Sequence, residues 1–377
     1  MGRGVRARAR GAPAETSPAR RGISGGTPVT AQMQAAVLYG GHDLRLEQRP
    51  VPQPGPGEVL LRVAACAVCG SDLHAYHGSH PRIRFPRILG HEFAGTVAAV
   101  GSGVSSVAPG ARVCAEVDLP CGACSQCHAG RTHLCLRLRT LGFDADGAYA
   151  EYVAVPAGNL HPLPPTLSFA AAALVQPLAV AYHGVKHQAG VATGQKVAVL
   201  GTGPIGLGAA AVARALGAWV VISSTRDARL EVAQRLGVDE TVNVRREDLV
   251  ARVLELTHGE GVDTVIEAVG GLQDETLQQA TQIVRRAGLI VVLGTFPSKR
   301  ATLRIAEFKD RELAMRGSRG DHQAFGPVID LLASGAVDPS LFITTTLPLD
   351  QAGPGLQMLD EKRAGLVKVI LQPVVTG

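Results

Sequence analysis

Lys196-Val-Ala-Val-Leu-Gly-Thr-Gly-Pro-Ile-Gly206 is the stretch that sets the architecture. An apolar run, Val197 to Leu200, enters Gly201-x-Gly203-x-x-Gly206, and Leu207 to Leu216 then continues in a helical pattern. Strand, tight glycine turn and helix start, in that order, make a cradle for a pyrophosphate, because a helix N-terminus presents unpaired N–H groups to an anion. Gly201, Gly203, Pro204, Ile205 and Gly206 are therefore candidate cofactor-binding residues.

The chain on either side supports this reading. Lys196 to Leu200, Trp219 to Ser223, Thr241 to Val244, Thr264 to Ala268, Leu289 to Leu293 and Leu313 to Arg316 read as strands, with helical segments between most of them. Such alternation predicts a parallel sheet covered by helices on both faces. Upstream, Ser168 to Ala189 is Ala-rich and helical in pattern, with an interruption expected at Pro177. Earlier still the runs are short and β-like: Gln34 to Leu38, Glu58 to Ala65, Phe93 to Val100, a turn from Val107 into Val113, and Gly147 to Val155. Proline and glycine punctuate them, so this half is expected to be mostly antiparallel. A helix over Val328 to Ala333 and strands over Ile343 to Leu347 and Lys368 to Leu371 are expected to rejoin it. The expected divisions are a tail over 1–32, a first domain over 33–185, a dinucleotide-binding domain over 186–322 and a return to the first domain over 323–377.

The 377 residues exceed the size at which one core usually stops growing, which also favours two domains. The net charge of +5 arises in residues 1 to 32, where six arginines (Arg3, Arg6, Arg8, Arg10, Arg20 and Arg21) face only Glu15. The remainder is balanced, which argues against a nucleic-acid or anionic-membrane surface on the folded part; the partner expected from a metal site beside a nicotinamide is a small-molecule alcohol or carbonyl compound. That first segment holds too little apolar surface to offset the entropy of ordering it and is expected to be disordered. The sequence has no signal-peptide core, and its longest uncharged stretch is the glycine loop itself. Seven cysteines, four of them clustered, suit metal binding in a reducing compartment, and the cytoplasm is the expected location.

Two metal sites are expected. Cys121, Cys124, Cys127 and Cys135 give Cys-x2-Cys-x2-Cys-x7-Cys, four thiolates that can close a tetrahedral structural zinc site. Cys69, His91 and Glu92 offer a thiolate, an imidazole and a carboxylate, which suit a zinc site with one open position. Ser71, Asp72 and His74 follow the thiolate at fixed offsets, and each has a task. Asp72 can accept the second ring proton of His91, Ser71 can touch a substrate oxygen, and His74 can pass a proton to solvent. Cys66 and Cys114 lack partner spacing and read as buried small hydrophobes.

Gly90-His91-Glu92, Cys69-Gly-Ser-Asp-Leu-His74, the cysteine quartet, Gly147-Ala-Tyr-Ala-Glu-Tyr152 and the glycine loop together resemble the zinc-dependent medium-chain alcohol dehydrogenases, over residues 33 to about 372. The chain is most similar to the branch of polyol, threonine, sugar and aminocyclitol dehydrogenases. The resemblance implies a GroES-like, mostly antiparallel β catalytic domain joined to a Rossmann doubly wound parallel-sheet domain. It also implies two zinc ions per chain, hydride transfer between a secondary alcohol and a nicotinamide, and a homodimer or homotetramer. In that branch a glutamate commonly fills the slot matched by Gln176 in Leu174-Val-Gln-Pro-Leu178, so Gln176 is a further candidate ligand of the catalytic zinc.

The residues after the second strand of the nucleotide half decide the cofactor. An acidic residue there would hold the ribose of NAD, but the chain reads Ser223-Ser224-Thr225-Arg226. Ser224, Thr225 and Arg226 can instead donate hydrogen bonds to a 2′-phosphate, which predicts NADP over NAD. Asp227 is expected to cap the next helix. Glu267 and Arg319 fall at strand ends facing the nucleotide crevice, and Arg319 is a candidate cofactor contact. The competing readings are an NAD-dependent enzyme of the threonine or butanediol type, a zinc-free reductase, and a non-catalytic nucleotide-binding scaffold.

Overall fold

The computed structural model describes residues 1–2, 32–271, 273–295 and 300–373. Most of the Arg-rich segment expected to be disordered, residues 3–31, lies outside them. The described chain is mixed α/β, with one antiparallel-rich and one wholly parallel sheet system, as the resemblance implied.

The strand Glu58–Ala67 organises the antiparallel part. Its run EVLLRVAACA is buried at seven of ten positions, drawn from both faces, which requires cover on both sides. It pairs antiparallel with Phe93–Val100, Tyr152–Pro156 and Lys368–Gln372. Across the sheet the order runs Leu160–Pro162, Arg112–Ala115, Phe93–Val100, Glu58–Ala67, Lys368–Gln372 and Ile343–Pro348, the last two being parallel. A second sheet sets Gln32–Gly40 between Asp43–Pro50 and Arg87–Ile88. Strands more than 300 residues apart in sequence thus share one layer.

The parallel sheet has six strands in the order Glu240–Asn243, Trp219–Ser224, Lys196–Leu200, Val262–Glu267, Val284–Val292 and Ala314–Gly317. Numbered within the sheet this is 3-2-1-4-5-6, the doubly wound order whose direction reverses beside the first strand. Lys196–Leu200 is that strand, so the glycine loop leaves the sheet at the switch point. The fifth strand starts five residues before the expected Leu289, at Val284, after a register shift between Val262 and Thr264.

Helix Val175–Tyr182 packs on helix Pro204–Ala215, and small residues let the two approach. A Cβ on Gly208 would stand 3.0 Å from Leu178 Cδ2 and 3.2 Å from Ala181 Cβ. The expected break at Pro177 is displaced. Helices Phe169–Ala172 and Val175–Tyr182 are separated at Ala173 and Leu174, and the second runs on into a π-helical segment, His183–Gln188. Pro177 sits in the first turn of its helix, where a missing N–H removes no intrahelical bond. Gly147 to Ala150 is likewise not strand as expected. It runs along Ile88 to Gly90, and the strand begins at Tyr152. Among the described residues no helix is long and apolar enough to cross a membrane.

Candidate active site

Cys69 is the N-cap of helix Gly70–Tyr76, and its backbone N–H donates to Oδ2 of Asp72 at 3.0 Å. An acid three positions into the helix that reaches back to the cap fixes the turn carrying the thiol. Asp72 is fully buried and does more than cap. The Tyr149 hydroxyl donates to the same Oδ2 at 2.8 Å, and Oδ1 lies 3.3 Å from Nδ1 of His91. One carboxylate therefore orients both the cysteine turn and the imidazole. Burial opposes the charge on Asp72, but His91 and the Cys69 and Tyr149 donors outweigh it and hold the carboxyl below its ordinary value. For His91, burial is likewise outweighed by Asp72 and Cys69, so its affinity for a proton is raised.

Gly90 makes this arrangement possible. It adopts φ +93°, and a Cβ there would stand 2.5 Å from Tyr149 Cδ1 and 2.9 Å from Cys66 Sγ. Only glycine fits such a backbone against such neighbours. With Nδ1 of His91 at Asp72, Nε2 lies 3.3 Å from the Ser71 hydroxyl, and the Phe143 ring packs against the imidazole at 4.7 Å between centroids. Cys69 Sγ, a ring nitrogen of His91 and a carboxylate oxygen of Glu92 all lie within 4.8 Å of one another. A soft thiolate, an imidazole and a carboxylate at that spacing fit zinc.

Lys368 is a member of this cluster that the sequence reading did not name. Its Nζ contacts both oxygens of Glu92, at 2.6 and 2.5 Å, and donates to the Val68 carbonyl at 3.2 Å. Burial works against its charge, yet Glu92 more than restores it, and the ammonium is held above its ordinary value. The one available signal was a lysine heading an otherwise apolar strand, Lys368-Val-Ile-Leu371. Nothing local linked it to Glu92, which is 276 residues away.

Other expected residues are placed less directly. His74 is on the exposed side of its helix. The Gln176 amide donates from Nε2 to Oδ2 of Asp321 at 3.0 Å. Asp321 is 4% exposed, and burial together with the Asp118 and Glu116 carboxylates pushes its pKa up to about 7. It lines a polar cavity of about 210 Å³ with Glu116, Asp118, His133 and His322. Arg319, expected at the nucleotide, reaches the cysteine-rich loop instead. It pairs with Asp118 at 3.2 Å and donates to the His133 carbonyl. Glu267 accepts from Val269 N–H and the Thr276 hydroxyl, a local structural role.

The four thiols of Cys121, Cys124, Cys127 and Cys135 converge within 4.8 Å of one another. Backbone N–H groups of Cys121 and Arg137 point at Cys135 Sγ, at 3.2 and 3.4 Å. The Ala123 N–H and the Arg137 guanidinium bring Cys121 down to about 6. Donors aimed at sulfur favour thiolates, so this donor set also fits zinc. Cys66 and Cys114 are buried, and burial pushes the Cys114 thiol up to about 12.

At the glycine loop, a Cβ on Gly206 would stand 2.0 Å from the Gly201 carbonyl oxygen, whereas one on Gly203 would meet nothing within 4 Å. The first closeness packs helix on strand. The second leaves room over the N-terminus of Pro204–Ala215 for a phosphate. Ser224 is buried, and its hydroxyl lies 2.5 Å from that of Thr202 and accepts the Arg226 N–H at 3.1 Å, so it faces inward. Thr225 and Arg226 are exposed. Asp227 does not cap its helix: Arg226 is the N-cap, and Asp227 lies in the first turn, bound to Asn243 and Arg246, both at 2.6 Å. The unforeseen residue is Arg229. It donates to the Thr202 carbonyl at 3.1 Å, and its Nε is buried without a partner among the described residues. Burial and the neighbouring Arg226 bring it down to about 10. Spacing i, i+3 on one helix was the signal that Arg226 and Arg229 share a face.

Residues 55–165 match the alcohol dehydrogenase GroES-like domain, and residues 204–334 match the zinc-binding dehydrogenase family. The chain is 40% identical over 263 residues to L-threonine 3-dehydrogenase of Pyrococcus horikoshii, covering 69% of this chain and 74% of the relative. It is 36% identical to 2-dehydro-3-deoxy-L-galactonate 5-dehydrogenase of Pseudoalteromonas atlantica, over 90% of this chain and 98% of the relative. Among solved structures, a Sinorhizobium meliloti protein bound to NADP superposes with a TM-score of 0.86 at 35% identity, covering 91% of this chain and 100% of its own. An Escherichia coli alcohol dehydrogenase complexed with NADH superposes at 0.85 with 30% identity, at 91% and 100% coverage.

Proposed function

The chain belongs to the zinc-dependent alcohol dehydrogenase family and is an oxidoreductase of secondary alcohols, and we propose that it oxidises a polyol, sugar or aminocyclitol hydroxyl with NADP. The observation that carries the reading is the convergence of Cys69, His91 and Glu92 within 4.8 Å, with His91 oriented by buried Asp72. Cys69, His91, Glu92 and Gln176 would hold a catalytic zinc, and the four-cysteine cluster a structural one. Such an ion supplies Lewis acidity that brings an alcohol pKa toward roughly 7, and the nicotinamide supplies the hydride acceptor.

The remaining work belongs to side chains. Asp72 accepts a hydrogen bond from the Nδ1–H of His91 and leaves the other ring nitrogen to face the cleft. Ser71 receives the substrate proton, and exposed His74 passes it to solvent. Gly201 to Gly206 seat the pyrophosphate, while Ser224 holds the turn from inside so that Thr225 and Arg226 meet the adenosine ribose.

Two features support NADP. The strand Trp219–Ser224 ends without a carboxylate, and the guanidinium groups of Arg226 and Arg229 have no acidic partner among the described ion pairs. A 2′-phosphate would neutralise both. We assign the catalytic unit to residues 33–185 with 323–377 and the cofactor unit to 186–322, and we infer a homodimer or homotetramer. Seven unpaired cysteines support a reducing compartment such as the cytoplasm.

The test is a panel of polyols, sugars, aminocyclitols and L-threonine assayed with both cofactors. Turnover of one of the first three classes with a higher kcat/KM for NADP is expected. A clear advantage for NAD, or L-threonine as the best substrate, overturns the corresponding part. Cys69→Ser should lose activity together with one equivalent of zinc, and full turnover in that variant would refute the site.

A further inference from the structure

We propose that Asp321 is a positioning residue that fixes the orientation of the Gln176 amide and makes glutamine the side chain suited to that position. The inference rests on the reading of Gln176 as a ligand of the catalytic metal.

The geometry is specific. Gln176 lies in the first turn of Val175–Tyr182, and Asp321 lies 145 residues later, just beyond the last strand of the parallel sheet. They meet at 3.0 Å through Nε2 and Oδ2. Gln176 thus presents its NH2 group, which only donates, to the Asp321 carboxyl. The carbonyl oxygen Oε1, the one atom of that side chain able to bind a cation, is then turned away from Asp321. It has no hydrogen-bond partner among the described residues. Were residue 321 able to donate as well as accept, as an asparagine is, the amide would be free to rotate by half a turn and offer its NH2 group to the metal.

The same geometry accounts for the amide. A carboxylate at position 176 would stand about as far from Oδ2 as Nε2 does now and would bring no N–H to that contact, leaving two acceptors face to face. The setting aggravates this, because Glu116 and Asp118 line the same cavity as Asp321. Among the described ion pairs, Arg319 answers only Asp118, and His161 only Glu116. An amide at 176 and an acid at 321 therefore form a matched pair. The opposite assignment, acid at 176 and amide at 321, should serve equally well, whereas acid with acid should not.

The experiment measures zinc affinity of the catalytic site by chelator competition, along with the absorption spectrum of the cobalt-substituted protein and thermal unfolding. The variants are Asp321→Asn, Gln176→Glu, the double exchange Gln176→Glu/Asp321→Asn, and Gln176→Ala. Removing a group that orients a metal ligand typically costs about 10–100-fold in affinity. Asp321→Asn is expected to fall in that range with an altered cobalt spectrum, Gln176→Glu to be weakened as well, and the double exchange to recover at least about tenfold over either single variant. Asp321→Asn binding zinc as wild type does, or a double exchange no better than the two losses combined, would overturn the inference. If Gln176→Ala keeps wild-type affinity, both this inference and the role of Gln176 fail. The three-residue site would still be judged separately by Cys69→Ser. Gln176→Glu leaves Asp321 in place, so the test survives if Asp321→Asn does not fold.

Discussion

Nζ of Lys368 lies 2.6 Å from Oε1 of Glu92, with both side chains almost completely buried. The lysine heads the strand Lys368–Gln372, and the glutamate directly precedes Phe93–Val100, so the two flank the central strand Glu58–Ala67 from either side. A carboxylate with a fixed ammonium beside it can stand near a metal without carrying its full negative charge.

Removing the ammonium alone should be costly. Lys368→Met leaves Glu92 buried and unpaired, a loss of about 3–5 kcal/mol for a broken buried pair. Urea unfolding of the zinc-free protein measures it. Lys368→Met/Glu92→Met should recover most of the loss, since replacing both charges with apolar groups is often near neutral. Equal stability of Lys368→Met and wild type would mean that the pair is not formed.

Gly90→Ala tests the turn that carries His91. The new methyl group meets Tyr149 and Cys66 in a backbone conformation with φ +93°. A loss of at least about 2 kcal/mol is expected from strain and overlap together. Zinc should be lost from this site, with the four-cysteine site still loaded. Metal analysis and denaturant unfolding read the two effects, and unchanged values in both would contradict the packing.

Cofactor choice should depend on Arg226 and Arg229. Replacing either with Ala is expected to lower kcat/KM for NADPH by about tenfold or more, with NADH changed by less than about threefold. Binding of 2′,5′-ADP against 5′-AMP by calorimetry separates recognition of the phosphate from effects on chemistry. Equal losses for both cofactors would mean that the arginines support the loop and not the phosphate.

Acid should destabilise the protein through His183. Its ring is buried, and burial together with His187 and His322 depresses its affinity for a proton. The ring meets His187 at 3.2 Å and Gln188 at 3.1 Å, and the His133 and His322 rings pack nearby. No carboxylate faces it in these contacts. The unfolded chain therefore binds a proton at a higher pH than the folded one does, and stability is lost as pH falls below about 6.5. His183→Asn should show a shallower decline of Tm between neutral pH and pH 5, and parallel curves would refute the assignment.

Much of this molecule was legible along the chain. The glycine loop, the six parallel strands and the cysteine quartet follow local rules of period, turn chemistry and ligand spacing, and the structure departs from them mainly at boundaries such as Pro177 and Val284. Cys69, Asp72, His91 and Glu92 were identifiable because they lie within two short motifs. Lys368 and the Asp321 partner of Gln176 were not. Each matters through a neighbour brought to it by folding, and pairwise contact over 145 or 276 residues leaves no periodicity to read.

Residue order alone specified a doubly wound nucleotide sheet, an antiparallel companion and two sets of candidate metal-ligating side chains, because backbone period and chelate spacing are local properties. Which charges face one another was settled by packing. Burial lets Glu92 meet Lys368, sends the Arg319 guanidinium to Asp118 and sets the Gln176 amide against Asp321, since ionic and polar groups removed from water must find partners wherever the fold supplies them.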